Sequence, residues 1–391
     1  MPFASALSTT SDSSEALEQV CREALDQLQG QPRLAMLYYS PHHLKNLADL
    51  AQAAQDKLKA ECVLGCPGES IIGKDQEIEN ETAMSLWLAD WSQDVQLAPF
   101  HLFPEQTSEG LSLLGWPDEY FSVNPEEAVI LLLADPYTFP IDKYLEDTNE
   151  NTPGLRVMGG MASGVRGPGE CRMIYGGQQV DQGAVGVVLQ GNIKVRSVVS
   201  QGCRPIGKHM VITKANRNVI QGLSGKTPFN QLQDLWQHLP TKDQELLQRG
   251  GLHVGLVMNE YQEEFRRGDF LIRNVMGLDR DSGSLVLTDE VRVGQTVQFQ
   301  LRDADSADED LHDLLQQDSA AHEKQPMGAL LFSCNGRGSR MFAEAHHDAR
   351  AIGQEAGSIP LAGFFAQGEL GPVGGQNFIH GFTASVVLFE D

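Results

Sequence analysis

The sequence has no apolar run long enough to cross a bilayer. The longest, such as Ala128 to Ala134, are of strand length, far short of the roughly 20 residues a spanning helix needs. The N-terminus lacks a basic segment followed by an apolar core, so no secretory signal and no membrane partner are expected. Basic residues are scarce, 29 against 53 acidic ones, and the net charge is −24. That balance argues against a nucleic-acid groove or an anionic membrane surface. It identifies no positive partner, because solubility alone accounts for it. Cysteines are few: Cys21, Cys62, Cys66, Cys171, Cys203 and Cys334. Only Cys62 and Cys66 are close, and no second pair completes a zinc site. Scattered thiols of this kind read as reduced and place the chain in the cytoplasm.

The common catalytic signatures are missing too. There is no Walker sequence, no HExxH and no GxSxG. Gly336-Arg337-Gly338 lacks the third glycine of a dinucleotide fingerprint, since Met341 stands in its place. The pairs His42-His43 and His346-His347 are adjacent, and adjacent side chains diverge on a helix or strand. No metal and no cofactor are expected.

What remains is globular: 391 residues, 41% apolar and 21% charged, too long for one ordinary core. The first ten residues are rich in Ser, Thr and Ala and are expected to be disordered. Asp12, with Glu15 three residues on, opens a helix whose apolar face is Leu17, Val20, Cys21, Ala24, Leu25 and Leu28.

A pattern then recurs. An apolar strand (Leu34 to Tyr39, Ala128 to Ala134, Ala329 to Ser333) leads into a helical segment, opened by Pro41 and Pro140 in the first two copies. A short strand follows and runs into a glycine turn, at Gly65 to Glu69, Gly159 to Gly164 and Gly363 to Glu369. A hairpin closes each copy with an apolar strand: Ala83 to Leu88, Gly183 to Leu189 and Thr383 to Phe389. Leu252 to Met258, with Val291 to Leu301, reads as a degraded fourth copy. The segment Asp303 to His322, with seven acidic residues around Leu311, Leu314 and Leu315, reads as a solvated amphipathic helix. The expected fold is α+β, with mixed sheets and packed helices built from repeated β-α-β-hairpin units. The expected divisions are an N-terminal tail and helix over residues 1–30, a domain over 31–222 and another over 223–391.

Two glycine-rich loops near the C-terminus carry the densest chemistry. In an α/β sheet, ligands gather at the C-terminal ends of strands. Cys334-Asn335-Gly336-Arg337-Gly338 offers a thiol, an amide and a guanidinium at such an end. Arg337 suits a carboxylate, which it can clamp with both arms. Glu369 follows a glycine turn and suits an ammonium, while Asn377 and His380 lie just beyond. Cys203-Arg204 repeats the thiol-plus-guanidinium theme. These ten residues, Gly336 and Gly338 included, are the candidate ligand site.

The loops resemble those of the FIST family, a sensory module with an N- and a C-terminal part. The likeness lies in Cys334 to Gly338, in Pro360 to Phe365, in Gly368 to Pro372 and in Asn377 to Ala384. Ser200 to Gly207 and Asp269 to Asn274 share it, and Gly65-Cys66 and Gly159-Gly160 do so more weakly. The resemblance covers roughly residues 32 to 391. It implies a small-molecule sensor, amino acids being among the ligands proposed for the family, that passes its state to a signalling partner. No output domain is evident in the chain, so a separate signalling protein is expected to receive that state. The resemblance supplies no catalytic residues. Three readings follow: a cytoplasmic sensor for a zwitterion held by Arg337 and Glu369; a thiol enzyme using Cys334 or Cys203 with His380 as base; and a scaffold docking through the acidic helix.

Overall fold

The computed structural model describes residues 2–108, 110–262 and 264–390. The chain begins β1 (Phe3–Ser8), α1 (Ser13–Gln27), β2 (Leu34–Tyr39), α2 (Leu47–Leu58), β3 (Cys62–Pro67), β4 (Ser70–Gly73), β5 (Gln76–Glu79) and β6 (Met84–Ala89). Next come β7 (Val95–Thr107), β8 (Gly110–Leu114), β9 (Ala128–Ala134), α3 (Ile141–Asn151), β10 (Arg156–Met161), β11 (Met173–Tyr175), β12 (Gln178–Val180), β13 (Ala184–Gly191) and β14 (Val195–Gln201). A middle stretch holds β15 (Cys203–Asn216), β16 (Val219–Leu223), α4 (Pro228–Trp236), α5 (Thr241–Gln248), β17 (Leu252–Val257), β18 (Phe270–Leu278), β19 (Leu285–Leu287) and β20 (Thr296–Arg302). The last part is α6 (Ala304–Ala321), β21 (Gly328–Cys334), α7 (His347–Ala356), β22 (Leu361–Ala366), β23 (Glu369–Val373), β24 (Gln376–His380) and β25 (Thr383–Phe389). The class is α+β.

Two compact units emerge. One contains residues 2–199, 311–379 and 383–390; the other contains 200–310 with 380–382. The first unit has three sheets, ordered β1-β6-β2-β3-β11-β12, β24-β23-β10-β9-β13-β7-β8 and β14-β25-β21-β22-β4-β5. Each sheet contains one parallel pair, β2/β3, β9/β10 or β21/β22, and each pair is linked through a helix, α2, α3 or α7. The hairpin after each pair joins another pair's sheet. Thus β4–β5 lies beside β22, β11–β12 beside β3, and β23–β24 beside β10.

The long apolar runs in the sequence follow from burial on both faces, as in parallel strands covered on two sides. The alternation of side chains shows the division. Met36 and Tyr38, Leu131 and Leu133, and Leu330 and Phe332 all enter one core shared by the three sheets. Their neighbours Ala35 and Leu37 pack under α1 and α2, Ile130 and Leu132 under α3, and Leu331 under α6 and α7. In β22, Gly363 faces Leu331 across the parallel pair, and a Cβ there would stand 1.8 Å from the Leu331 carbonyl oxygen.

The structure corrects two sequence expectations. The first ten residues are not disordered as a block: Phe3 to Ser8 pair antiparallel with β6, and Phe3 stacks on Trp87 with ring centroids 5.2 Å apart. The apolar members of that Ser-rich run outweigh its polarity because they complete a core. The stretch read as a fourth copy is instead part of a closed barrel, ordered β15-β16-β19-β18-β17-β20, which forms most of the second unit. There β17 pairs antiparallel with β18, with no crossover helix among the described residues between them. The acidic segment forms α6 as an amphipathic helix, with Leu311 and Leu315 buried in the core beneath β21 and β25 and with Asp305, Glu309 and Asp313 exposed.

Candidate functional site

The loop after β21 is built by local backbone bonds. The Arg337 amide donates to the Cys334 carbonyl at 2.8 Å, and the Asn335 amide donates to the Ala366 carbonyl at the end of β22 at 3.0 Å. Gly338 has φ +57°, and a Cβ there would lie 2.6 Å from both Glu79 Oε1 and the Phe365 ring. Glycine is therefore demanded twice, by conformation and by space. Glu79 secures the turn by accepting from the Ser339 amide at 2.8 Å and from its hydroxyl at 2.6 Å. Arg340, at the surface, donates to the Asn335 carbonyl at 2.8 Å and pairs with Glu69.

Arg337 is fully buried, which a guanidinium tolerates only when paired. Asp348, at the start of α7, supplies the pair: Nε donates to Oδ2 and Nη2 to Oδ1, both at 2.7 Å. Ser333 donates to Asp348 Oδ2 at 2.8 Å, and His347 Nδ1 lies 2.9 Å from Oδ1. The guanidinium also stands 5.1 Å from the centroid of the Phe342 ring, which stacks on His347. Burial alone would push the Asp348 carboxyl up. The charge and hydrogen bonds of Arg337, helped by His347, overcome burial and hold it well below the ordinary carboxylate range.

Two more buried carboxyls flank this pair. Glu77, on β5, accepts from the Ala349 amide at the start of α7 at 2.9 Å. Burial, and then the Asp348 charge, push it up to about 8. Glu369, at the start of β23, accepts from the Thr383 hydroxyl at 2.7 Å and from the Thr383 amide at 3.2 Å. Burial pushes it up to about 8 as well, opposed by the Thr383 bonds, the Cys334 thiol and the charge of Arg337.

Cys334, Asn335, Arg337 and Glu369 thus form one cluster in the first unit. Each of the last three retains a polar atom with no hydrogen-bond partner among the described residues: Asn335 Oδ1, Arg337 Nη1 and Glu369 Oε1. Glu77 Oε2 is in the same condition. The fork that the sequence reading offers to a ligand's carboxylate is taken by Asp348, and Nη1 is left without a partner among the described residues.

The other candidates are placed differently. Asn377 is spent on the fold: its Nδ2 donates to the Leu155 carbonyl at 2.7 Å, and its Oδ1 accepts from the Val157 amide at 2.7 Å. Its amide also donates to Asn149 Oδ1 on α3 at 2.8 Å. His380 is buried and falls in the second unit, as do Cys203 and Arg204. Cys203 packs with Phe270 and Ile272. Arg204 is held by Asp243 at 2.6 Å and by Asp303 at 2.8 Å.

The sequence reading missed Asp348, Glu77 and Thr383. Asp348 had one available signal: an acid in the first turn of a helix, 11 residues after a cationic loop. Glu77 had none, because its partners are reached only when the β4–β5 hairpin lies beside β22.

Family models match most of the sequence. The FIST N domain matches residues 33–226 and the FIST C domain matches residues 231–372. An uncharacterized protein of Mycobacterium tuberculosis, Rv0628c, is 40% identical over 386 residues, 98% of each chain. Another from Mycobacterium bovis, Mb0898c, is 40% identical over 384 residues, 98% of this chain and 97% of the relative. The chain belongs to the FIST family, whose domains are associated with sensory and signal-transduction roles.

Proposed function

We propose that this protein is a cytoplasmic sensor that binds a small zwitterion, an amino acid being the simplest, at the loop after β21, and reports the bound state to a separate signalling protein. The observation that carries the reading is the set of unpartnered polar atoms on Asn335, Arg337 and Glu369. Each costs about 1–3 kcal/mol when buried without a partner, and more if charged. A ligand that meets all three recovers that cost. Arg337 Nη1 donates to the ligand's carboxylate. Glu369 Oε1 and Asn335 Oδ1 accept from its ammonium, and the ammonium's charge favours the ionised form of Glu369. Six free cysteines among the described residues suit a reducing compartment.

The test is native mass spectrometry of the purified chain, then a thermal-shift screen of amino acids against wild type, Asn335→Ala and Glu369→Gln. Saturable stabilisation of about 2.7 kcal/mol at a hundredfold excess over Kd is expected for wild type, and loss of it in both variants. A ligand that stabilises all three proteins equally would place binding elsewhere.

A further inference from the structure

We propose that Cys334 is an oxidisable nucleophile, converted by hydroperoxides to a sulfenic acid at the mouth of the ligand site, with Glu369 as its proton acceptor and donor. The proposal rests on the ligand reading only in placing the thiol beside that site.

Cys334 differs from every other cysteine in the chain. The other five are buried, and Cys334 alone is partly open to solvent. Burial pushes the thiols of Cys62, Cys66 and Cys171 far up, and that of Cys21 up to about 12, which keeps them unreactive. Around Cys334 the surroundings have the opposite character. Its sulfur accepts from the Gly336 amide at 3.4 Å, a contact that favours a thiolate. Two guanidiniums from the same loop, Arg337 and Arg340, interact electrostatically with it. Both are partly neutralised, Arg337 by Asp348 and Arg340 by Glu69, and Glu77 adds its charge near Arg337 when ionised. From β23, the Glu369 carboxyl interacts with the thiol, which works against the burial that raises the carboxyl. Glu369 is wholly buried, and its Oε1 has no hydrogen-bond partner among the described residues. A carboxyl raised to about 8 is matched to a thiol, whose ordinary value is about 8.5.

The step balances as follows. The Cys334 proton passes to ionised Glu369. The thiolate sulfur attacks the distal, hydrogen-bearing oxygen of ROOH, forming an S–O bond as the O–O bond breaks. The departing RO⁻ takes the proton from Glu369 and leaves as an alcohol, or as water when the oxidant is hydrogen peroxide. The sulfur is oxidised and the peroxide reduced. Arg337 Nη1 supplies a charge-assisted N–H near the developing negative oxygen. Two equivalents of a small thiol reverse the change: the first forms a mixed disulfide and releases water, and the second restores Cys334.

The experiment uses the full chain. Iodoacetamide reports the thiolate, and hydrogen peroxide followed by a dimedone probe reports the sulfenic acid, with peptide mass mapping to locate each adduct. Both are expected at Cys334, with rates on the order of tenfold above any other cysteine of the folded protein. Glu369→Gln is expected to slow sulfenylation several-fold and to displace its pH profile. Should Glu369→Gln fail to fold, Arg340→Ala, at the surface, carries the same test and is expected to shift iodoacetamide labelling to higher pH. Labelling of Cys334 no faster than that of the buried cysteines, or rates unchanged in the folded variants, would overturn the proposal. Neither readout needs a ligand, so failure of the amino-acid screen leaves this result distinct.

Discussion

Asp348 holds Arg337 with two hydrogen bonds of 2.7 Å in a place that excludes solvent from both side chains. Breaking such a pair leaves one charge buried and uncompensated, which costs about 3–5 kcal/mol. Arg337→Ala is therefore expected to lower stability by about that much, measured by urea denaturation. The variant tests the fold before it tests binding. An Arg337→Ala protein as stable as wild type would mean that the pair is not closed in solution.

The buried carboxyls give stability a dependence on pH with a definite sign. Glu77 and Glu369 titrate near 8 in the folded chain, against about 4.3 when unfolded. Between those values the folded state holds more protons, so their contribution is fully present below about pH 4 and falls as pH rises to 8. Asp348 acts oppositely. Its folded value is depressed, so its contribution is present above the unfolded value of about 3.9 and is lost on further acidification. The expected slope from pH 5 to 8 is on the order of 1 kcal/mol per pH unit for each carboxyl. Glu369→Gln is expected to remove part of it. Denaturation midpoints for both proteins from pH 5 to 9 check this; identical profiles would rule out Glu369 as a contributor.

Gly363 occupies a place where the parallel strands leave no room. Gly363→Ala would put a Cβ 1.8 Å from the Leu331 carbonyl oxygen. Backbone must move, and a loss of about 3 kcal/mol or more is expected. Chemical denaturation reads it directly, and a loss under about 1 kcal/mol would show that the strands can part.

The N-terminal strand carries real core. Phe3 is fully buried between Trp87 and Phe389. Phe3→Ala is expected to cost about 3–5 kcal/mol. Wild-type stability in that variant would return the first residues to the disordered tail that their Ser content suggests.

What could be read in advance follows from which interactions are local. The central strands were legible because both faces are buried, which leaves an unbroken apolar run such as Ala128 to Ala134. The helix start at Asp12 was legible because capping is local: its carboxylate accepts from the amides of Ser14 and Glu15. Strand β1 was not, because its value lies in Trp87 and β6, some 80 residues away. The barrel was mistaken for another β-α-β unit because alternation alone does not reveal a strand's partner. At the candidate site, the density of glycine marked the loop and pointed to Cys334, Arg337 and Glu369 together. The partner of Arg337 was hidden, so a paired guanidinium was read as a free one. Asn377 was drawn in by its nearness in sequence to Glu369, whereas its bonds to Asn149, Leu155 and Val157 belong to the fold.

The central claim is that the open polar atoms at the loop after β21 bind a small ligand. Isothermal titration of the best amino acid from the thermal screen, into wild type and Asn335→Ala at pH 7.5, tests it most directly. Asn335 is only partly buried, and its side chain carries none of the charge pairing on which the fold depends. Saturable binding by wild type, weakened at least about tenfold by a substitution that leaves unfolding unchanged, is the expected result. Equal affinity in the two proteins, or no heat from any amino acid in either, would contradict the claim.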